Sequence, residues 1–153
     1  MAKLWQKGNI KETELTQKVE RFTVGNDRTL DLLLAKHDVL GTIAHVKMLN
    51  KVNLLQTKEV QAVIPVLKSL LKDIEIGKFS LSKGSEDVHS EVEFRLVKEI
   101  GDIGKKIHTG RSRNDQVLLD IKLFTREKLE QIVLQTKGVF DQFIALSNKH
   151  KNK

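Results

Sequence analysis

Cysteine is absent from this chain, proline occurs once, and aromatic residues fill only 5% of its 153 positions. Without cysteine there can be neither disulfide nor thiolate metal centre, and a reducing compartment is permitted. So few prolines, glycines and aromatics argue for helices and against a sheet-rich fold, which draws on β-branched and aromatic side chains. The opening residues, MAKLWQKGNIKETEL, hold no apolar core of signal-peptide length. No run approaches the roughly 20 apolar residues of a membrane span. The expectation is a cytoplasmic protein with no membrane partner.

What is present is a globular composition, 39% hydrophobic and 31% charged, long enough for one domain with a core. The formal charge of +7 admits nucleic acid, a membrane surface or a small polyanion as partner. Acids interleave with the bases almost everywhere, however. Only Lys105 to Arg113 and the tail NKHKNK are locally lopsided, and the bland reading of the net charge is a solvated lysine-rich surface. No aromatics punctuate the basic run and no helix carries a continuous basic face, so a nucleic-acid partner is not expected.

Periodicity predicts a succession of helices and no repeats. TELTQKVERF is a candidate short helix, ended by Gly25 and Asn26. Asn26 or Asp27 can cap the next helix, in which Leu30, Leu33, Leu34, His37, Leu40, Gly41, Ala44 and Met48 form an apolar face. Thr57 is a fair cap for a third, striped by Val60, Val63, Ile64, Leu67, Leu71 and Ile74, with Pro65 expected to kink it or delay its start. GKFSLSKGSED reads as a loop with a possible hairpin, because Phe79 and Leu81 alternate with serines. Ser85 is expected to open the next helix, facing Val88, Val92, Leu96 and Ile100 inward. From about Asn114 to Ser147 the helical pattern hardly breaks, and its apolar residues outrun the domain before it, so partner helices are expected.

Two clusters bear on chemistry. In GKKIHTGRSRNDQVLLDIK, Ser112 and Asp115 fit a capping box. That leaves two arginines, two lysines and a histidine crowded before a positive helix end, where cations are unfavourable unless an anion joins them. A plain cap and a cradle for a carboxylate or phosphate are both open readings. The P-loop spacing is absent. In SEDVHSE, Glu86 and Asp87 suit a helix start, and His89 is either surface decoration or an acid–base or hydrogen-bonding group. As a metal site it is weak, for want of a second histidine at ligand spacing. His37, on an apolar face, reads as a core residue.

Together, ERFTVGNDRTLDLLLAKHDVLGTIAH, EDVHSEVE and KKIHTGRSRNDQV closely resemble the N-terminal part of the argininosuccinate lyase family, within the fumarase/aspartase superfamily. The resemblance implies an all-α fold, with an N-terminal helical domain at 1–111 and the first long helix of a central bundle at 112–153. It implies cleavage of argininosuccinate to arginine and fumarate by elimination, within arginine biosynthesis, with no metal or organic cofactor. The partners implied are a small polycarboxylate substrate and further copies of the chain in a homotetramer. Thr23, His89, Ser112, Arg113 and Asn114 are the implied substrate-binding residues, with Ser112 supporting the loop. No catalytic residue is assigned, because the family's acid and base segments lie beyond the position of Lys153. The chain is therefore expected to be an N-terminal fragment, inactive alone. The family's usual LWGGRF start reads LWQKGN here. An adenylosuccinate-type lyase, or a basic nucleic-acid-binding or oligomerisation module, are the alternatives.

Overall fold

A computed structural model describes residues 18–19, 21–22, 25–82 and 85–152. Among them every regular element is helical, as the composition demanded. In chain order they are α1 (Asp27–Asp31), a 3-10 turn (Leu32–Leu34), α2 (Ala35–Lys51), α3 (Thr57–Glu75), α4 (Val88–Ile100), a second 3-10 segment (Gly101–Lys106) and α5 (Arg113–His150). Helix α2 is central: it packs on α3, on α4 and on the start of α5. The LWQKGN segment and most of the candidate helix TELTQKVERF lie outside the described residues.

Local chemistry sets the boundaries, not always where expected. Helix α3 is capped by Gln56, not Thr57: the Gln56 N–H donates to Glu59 Oε2 at 2.8 Å in a reciprocal capping box. Pro65 does not delay the start. It sits inside the helix, and both Pro65 and Gln61 face solvent, where water can take the carbonyl that proline leaves unbonded. Helix α4 is capped by Asp87, whose Oδ1 accepts from the Ser90 N–H at 2.8 Å. Helix α2 closes with Asn53 at φ 60°, a conformation that asparagine tolerates better than most residues.

Ser85 has another task, which also explains the missing hairpin. Residues 77–82 and 85–87 form no strand. The loop is instead tied to one carboxylate, Glu91, which is 1% exposed. Glu91 accepts from the Ser85 hydroxyl at 2.7 Å, the Ser82 N–H at 2.9 Å and Arg95 Nε at 2.7 Å. Arg95 also lies over the Phe79 ring, 4.5 Å from its centroid. The alternation of Phe79 and Leu81 marks side chains dipping toward the core from a loop.

The core joins Ala35, Val39, Val46 and Leu49 of α2 to Val63, Leu67 and Leu70 of α3 and Val88, Val92 and Leu96 of α4. Burying each such valine or leucine contributes about 1.5–3 kcal/mol. The α3 and α4 stripes match expectation; the α2 face does so only in part. His37 and Gly41 are buried as expected, but Leu30, Leu33, Leu40 and Met48 stay substantially exposed, and the main core contacts come from the adjacent face. Leu40, Gly41 and Ala44 line a groove with Leu119 and Leu123 of α5 instead. Periodicity located the helix, but two neighbouring faces are both apolar, and only packing tells them apart.

Helix α5 has 38 residues, about 57 Å at 1.5 Å per residue. Its last ties to α2 are at Glu127, which accepts from Lys36 Nζ at 2.8 Å and lies 3.1 Å from His37 Nε2. Residues 128–152 are all exposed. Leu129, Ile132, Val133, Phe140, Phe143 and Ile144 are more than 45% exposed there. No helix among the described residues is long and apolar enough to cross a membrane.

Candidate functional site

The start of α5 is a built turn. The Thr109 N–H donates to the Lys106 carbonyl at 3.1 Å and the Arg111 N–H to the His108 carbonyl at 3.0 Å. Between them Gly110 takes φ 74°, a value costly for any side chain. Ser112 then caps the helix: the Asp115 N–H reaches its hydroxyl at 3.3 Å, and the Ser112 N–H donates to Asp115 Oδ2 at 2.8 Å. Those bonds to Ser112 hold the Asp115 carboxyl below its usual range. The N–H groups of the first turn point outward from the positive helix end, and exposed Asn114 stands beside them. A carboxylate fits such an end without a further cation.

The crowded cations largely have carboxylates of their own. Lys105 pairs with Asp102 at 2.6 Å and Lys106 with Glu59 at 2.6 Å, both away from the cap. Arg113 pairs with Asp87 and donates to the Ser90 hydroxyl at 2.8 Å, binding the start of α5 to the start of α4. Arg111 turns inward, donating to the Thr42 hydroxyl at 3.0 Å and approaching His108 Nδ1 at 3.2 Å. The run is thus mostly intramolecular bracing. What remains open to an anion is the helix end itself, Asn114, and the outer side of Arg113.

Behind the cap lies a buried polar cluster. Asp38 of α2, His89 of α4 and Asp120 of α5 are 1%, 4% and 1% exposed. His89 Nδ1 is 2.6 Å from Asp38 Oδ1, and its Nε2 is 3.8 Å from Asp120 Oδ2. Burial works against the His89 cation, but the hydrogen bond to Asp38 and the charges of Asp38, Asp120 and Asp31 outweigh it and raise its pKa. Burial and the Asp38 charge push Asp120 up to about 7. Burial and Arg111 push neighbouring His108 down to about 4. One oxygen or nitrogen from each of the three central residues lies within 4.8 Å of the others, a spacing that also suits a cation. The 2.6 Å contact is that of a short, charge-assisted hydrogen bond, however, and Arg111 already brings positive charge to the same place.

Ser112, Arg113 and Asn114 therefore share one exposed helix start. His89 is not surface decoration. It lies behind that start, out of direct contact with solvent, because α4 turns it toward α2 and α5. Thr23 lies outside the described residues. Asp38, Arg111 and Asp120 join the cluster, and sequence reasoning singled out none of them for it. A faint signal existed for two: Asp38 and Asp120 are charged residues set within otherwise apolar helical stretches.

A protein-family model described simply as Lyase matches residues 11–152. Argininosuccinate lyases of Bacteroides thetaiotaomicron and Bacteroides fragilis are each 48% identical over 150 residues, covering 98% of this chain and 33% of their own. The argininosuccinate lyase of Thermotoga neapolitana is 41% identical over 145 residues, covering 93% and 35%. The chain thus spans about a third of the length of the curated relatives it matches.

Proposed function

This chain belongs to the lyase family, and from that premise we propose that it forms the N-terminal part of an argininosuccinate lyase. In this reading the assembled enzyme splits argininosuccinate into arginine and fumarate by elimination, in the cytoplasm and within arginine biosynthesis. The observation that carries the proposal is the similarity to argininosuccinate lyases over 98% of this chain, together with Ser112, Arg113 and Asn114 of GRSRNDQ forming an exposed helix start. Carboxylates are what such a start favours, and the proposed substrate is a polycarboxylate.

The roles then fall to a few residues. Ser112 holds the cap, Asn114 and the first-turn N–H groups receive a substrate carboxylate, and Arg113 adds charge from its place against Asp87. His89 acts from behind, and Thr23 is proposed as a further contact. Residues 1–111 form one domain and 112–153 the start of a helical bundle. The exposed apolar stripe of α5 supports a homotetramer in which copies cover one another's long helices. The 153-residue chain carries no assigned catalytic acid or base, and by itself it is expected to bind weakly and not turn over.

Titrating the isotope-labelled chain with argininosuccinate, with fumarate and with adenylosuccinate, while following amide resonances, tests the binding half. The expected result is selective movement of the Ser112 to Asp115 amides with argininosuccinate and fumarate. Movement only with adenylosuccinate would favour the adenylosuccinate-type alternative. No movement at millimolar ligand would remove the helix start from the site.

A further inference from the structure

We infer that Asp38, His89 and Asp120 form a buried triad that carries one proton on His89 Nε2 or on Asp120 Oδ2 at their 3.8 Å contact, and that fixes the start of α5 against α4 and α2. The inference stands whether or not the assembled protein turns over argininosuccinate. Each residue comes from a different helix, and each is at least nine-tenths buried. The Nδ1 side of His89 is settled by its 2.6 Å contact with Asp38 Oδ1, which needs a proton between nitrogen and oxygen.

The Nε2 side carries the inference. His89 Nε2 and Asp120 Oδ2 face each other at 3.8 Å, and neither has a hydrogen-bond partner. If His89 were neutral and Asp120 ionised, two lone pairs would oppose each other in a buried space, each uncompensated. One proton on either atom removes that conflict, giving an ion pair if it sits on His89 and a dipolar attraction if it sits on Asp120. The surrounding charges are consistent with it. Facing the triad are Asp31 of α1, which also accepts the Val88 N–H, Arg111 from the turn before α5, and His108 beside Arg111. Asp38, Asp120 and Asp31 supply negative charge, and Arg111 alone does not balance them. The raised pKa values of His89 and Asp120 point the same way and belong to the cluster jointly.

Mechanically, the triad is the inner half of a clamp. On the outside Arg113 grips Asp87 and Ser90, which flank His89 in sequence. On the inside the electrostatic contact of His89 with Asp120, kept attractive by that one proton, joins α4 to α5 two turns beyond the Ser112 cap. These are positioning residues: they hold the exposed helix start without touching what binds there.

Histidine-selective nitrogen NMR of the 153-residue chain, with infrared spectroscopy of its carboxyl groups, tests this directly. At pH 6.5 the expected result is a protonated His89 Nε2 or a buried neutral carboxyl assignable to Asp120. In Asp120→Asn the His89 cation should lose its proton at least tenfold more readily, with the Ser112 to Asp115 amides displaced. Both effects should be absent in the surface control Lys128→Gln. An unprotonated Nε2 facing an ionised Asp120 in the wild-type chain would overturn the inference, and that reading does not require any variant to fold. Stoichiometric Zn²⁺ binding that displaces the Nε2 proton would overturn it too, making the cluster a metal site.

Discussion

Replacing Gly104 with alanine should destabilise the fold far more than the same change at Gly41, although both glycines are buried at helix contacts. Gly104 lies in the 3-10 segment packed on α4. A Cβ there would stand 2.7 Å from the Val97 nitrogen and 2.8 Å from the Leu96 carbonyl carbon, both backbone atoms, and 3.1 Å from Leu96 Cβ. Leu96 is fully buried, so relief requires the segment to lift off α4 by several tenths of an ångström. Overpacking of that kind costs about 1–3 kcal/mol. At Gly41 the nearest obstacle is Leu119 Cδ2 at 2.9 Å, the end of a side chain that is 37% exposed and free to swing outward. The α2 interior also gains about 1 kcal/mol of helix propensity on going from glycine to alanine. The expected net effect at Gly41 is within about 1 kcal/mol of zero, and the two variants should differ by about 2 kcal/mol. Urea unfolding followed by circular dichroism, at one fixed protein concentration, measures the difference. Equal midpoints for the two variants would refute the reasoning, because they would mean that the backbone contact at Gly104 yields as readily as a side chain.

Three further outcomes follow from the same contacts. Glu91→Gln should cost about 1–3 kcal/mol in urea unfolding, since it weakens charge-assisted bonds to Ser82, Ser85 and Arg95 at a buried site; a neutral change would show that the loop is held by Phe79 packing instead. His108, held near 4 when folded against 6.5 when unfolded, leaves the native state with fewer protons between those values, so its contribution to stability is lost as pH falls from 6.5 toward 4. In His108→Gln the loss between pH 6 and pH 5 should therefore be shallower by roughly 1 kcal/mol, one proton being worth about 1.4 kcal/mol per pH unit, and parallel curves would contradict the assignment. Light scattering should find the chain self-associated, and Phe140→Glu with Ile144→Glu should return it toward monomer while the circular dichroism stays helical; a wild-type monomer at high concentration would deny that α5 seeks partners.

Much of the fold could be read in advance because helical periodicity and turn residues are local signals. The stripes of α3 and α4 and the long α5 came from spacing alone. Where two signals competed, the outcome depended on tertiary contacts. Gln56 displaced Thr57 as a cap because Glu59 lies three residues beyond it, and Ser85 gave up its cap to Asp87 because the buried Glu91 needed a donor. The helix start at Ser112 to Asn114 was legible because a capping box is a short motif. Of the buried cluster behind it only His89 was singled out, since Asp38 and Asp120 are far from it in sequence and meet it only when α2, α4 and α5 pack.

The central proposal, that this chain is the N-terminal part of an argininosuccinate lyase, meets its most direct test in a chimera. The chain would replace the corresponding third of the Bacteroides thetaiotaomicron argininosuccinate lyase, to which it is 48% identical, and fumarate release from argininosuccinate would be followed by ultraviolet absorbance. The expected result is turnover by the chimera, none by the 153-residue chain alone, and a marked loss when Asn114→Ala is introduced. A chimera that assembles and folds but releases no fumarate would contradict it.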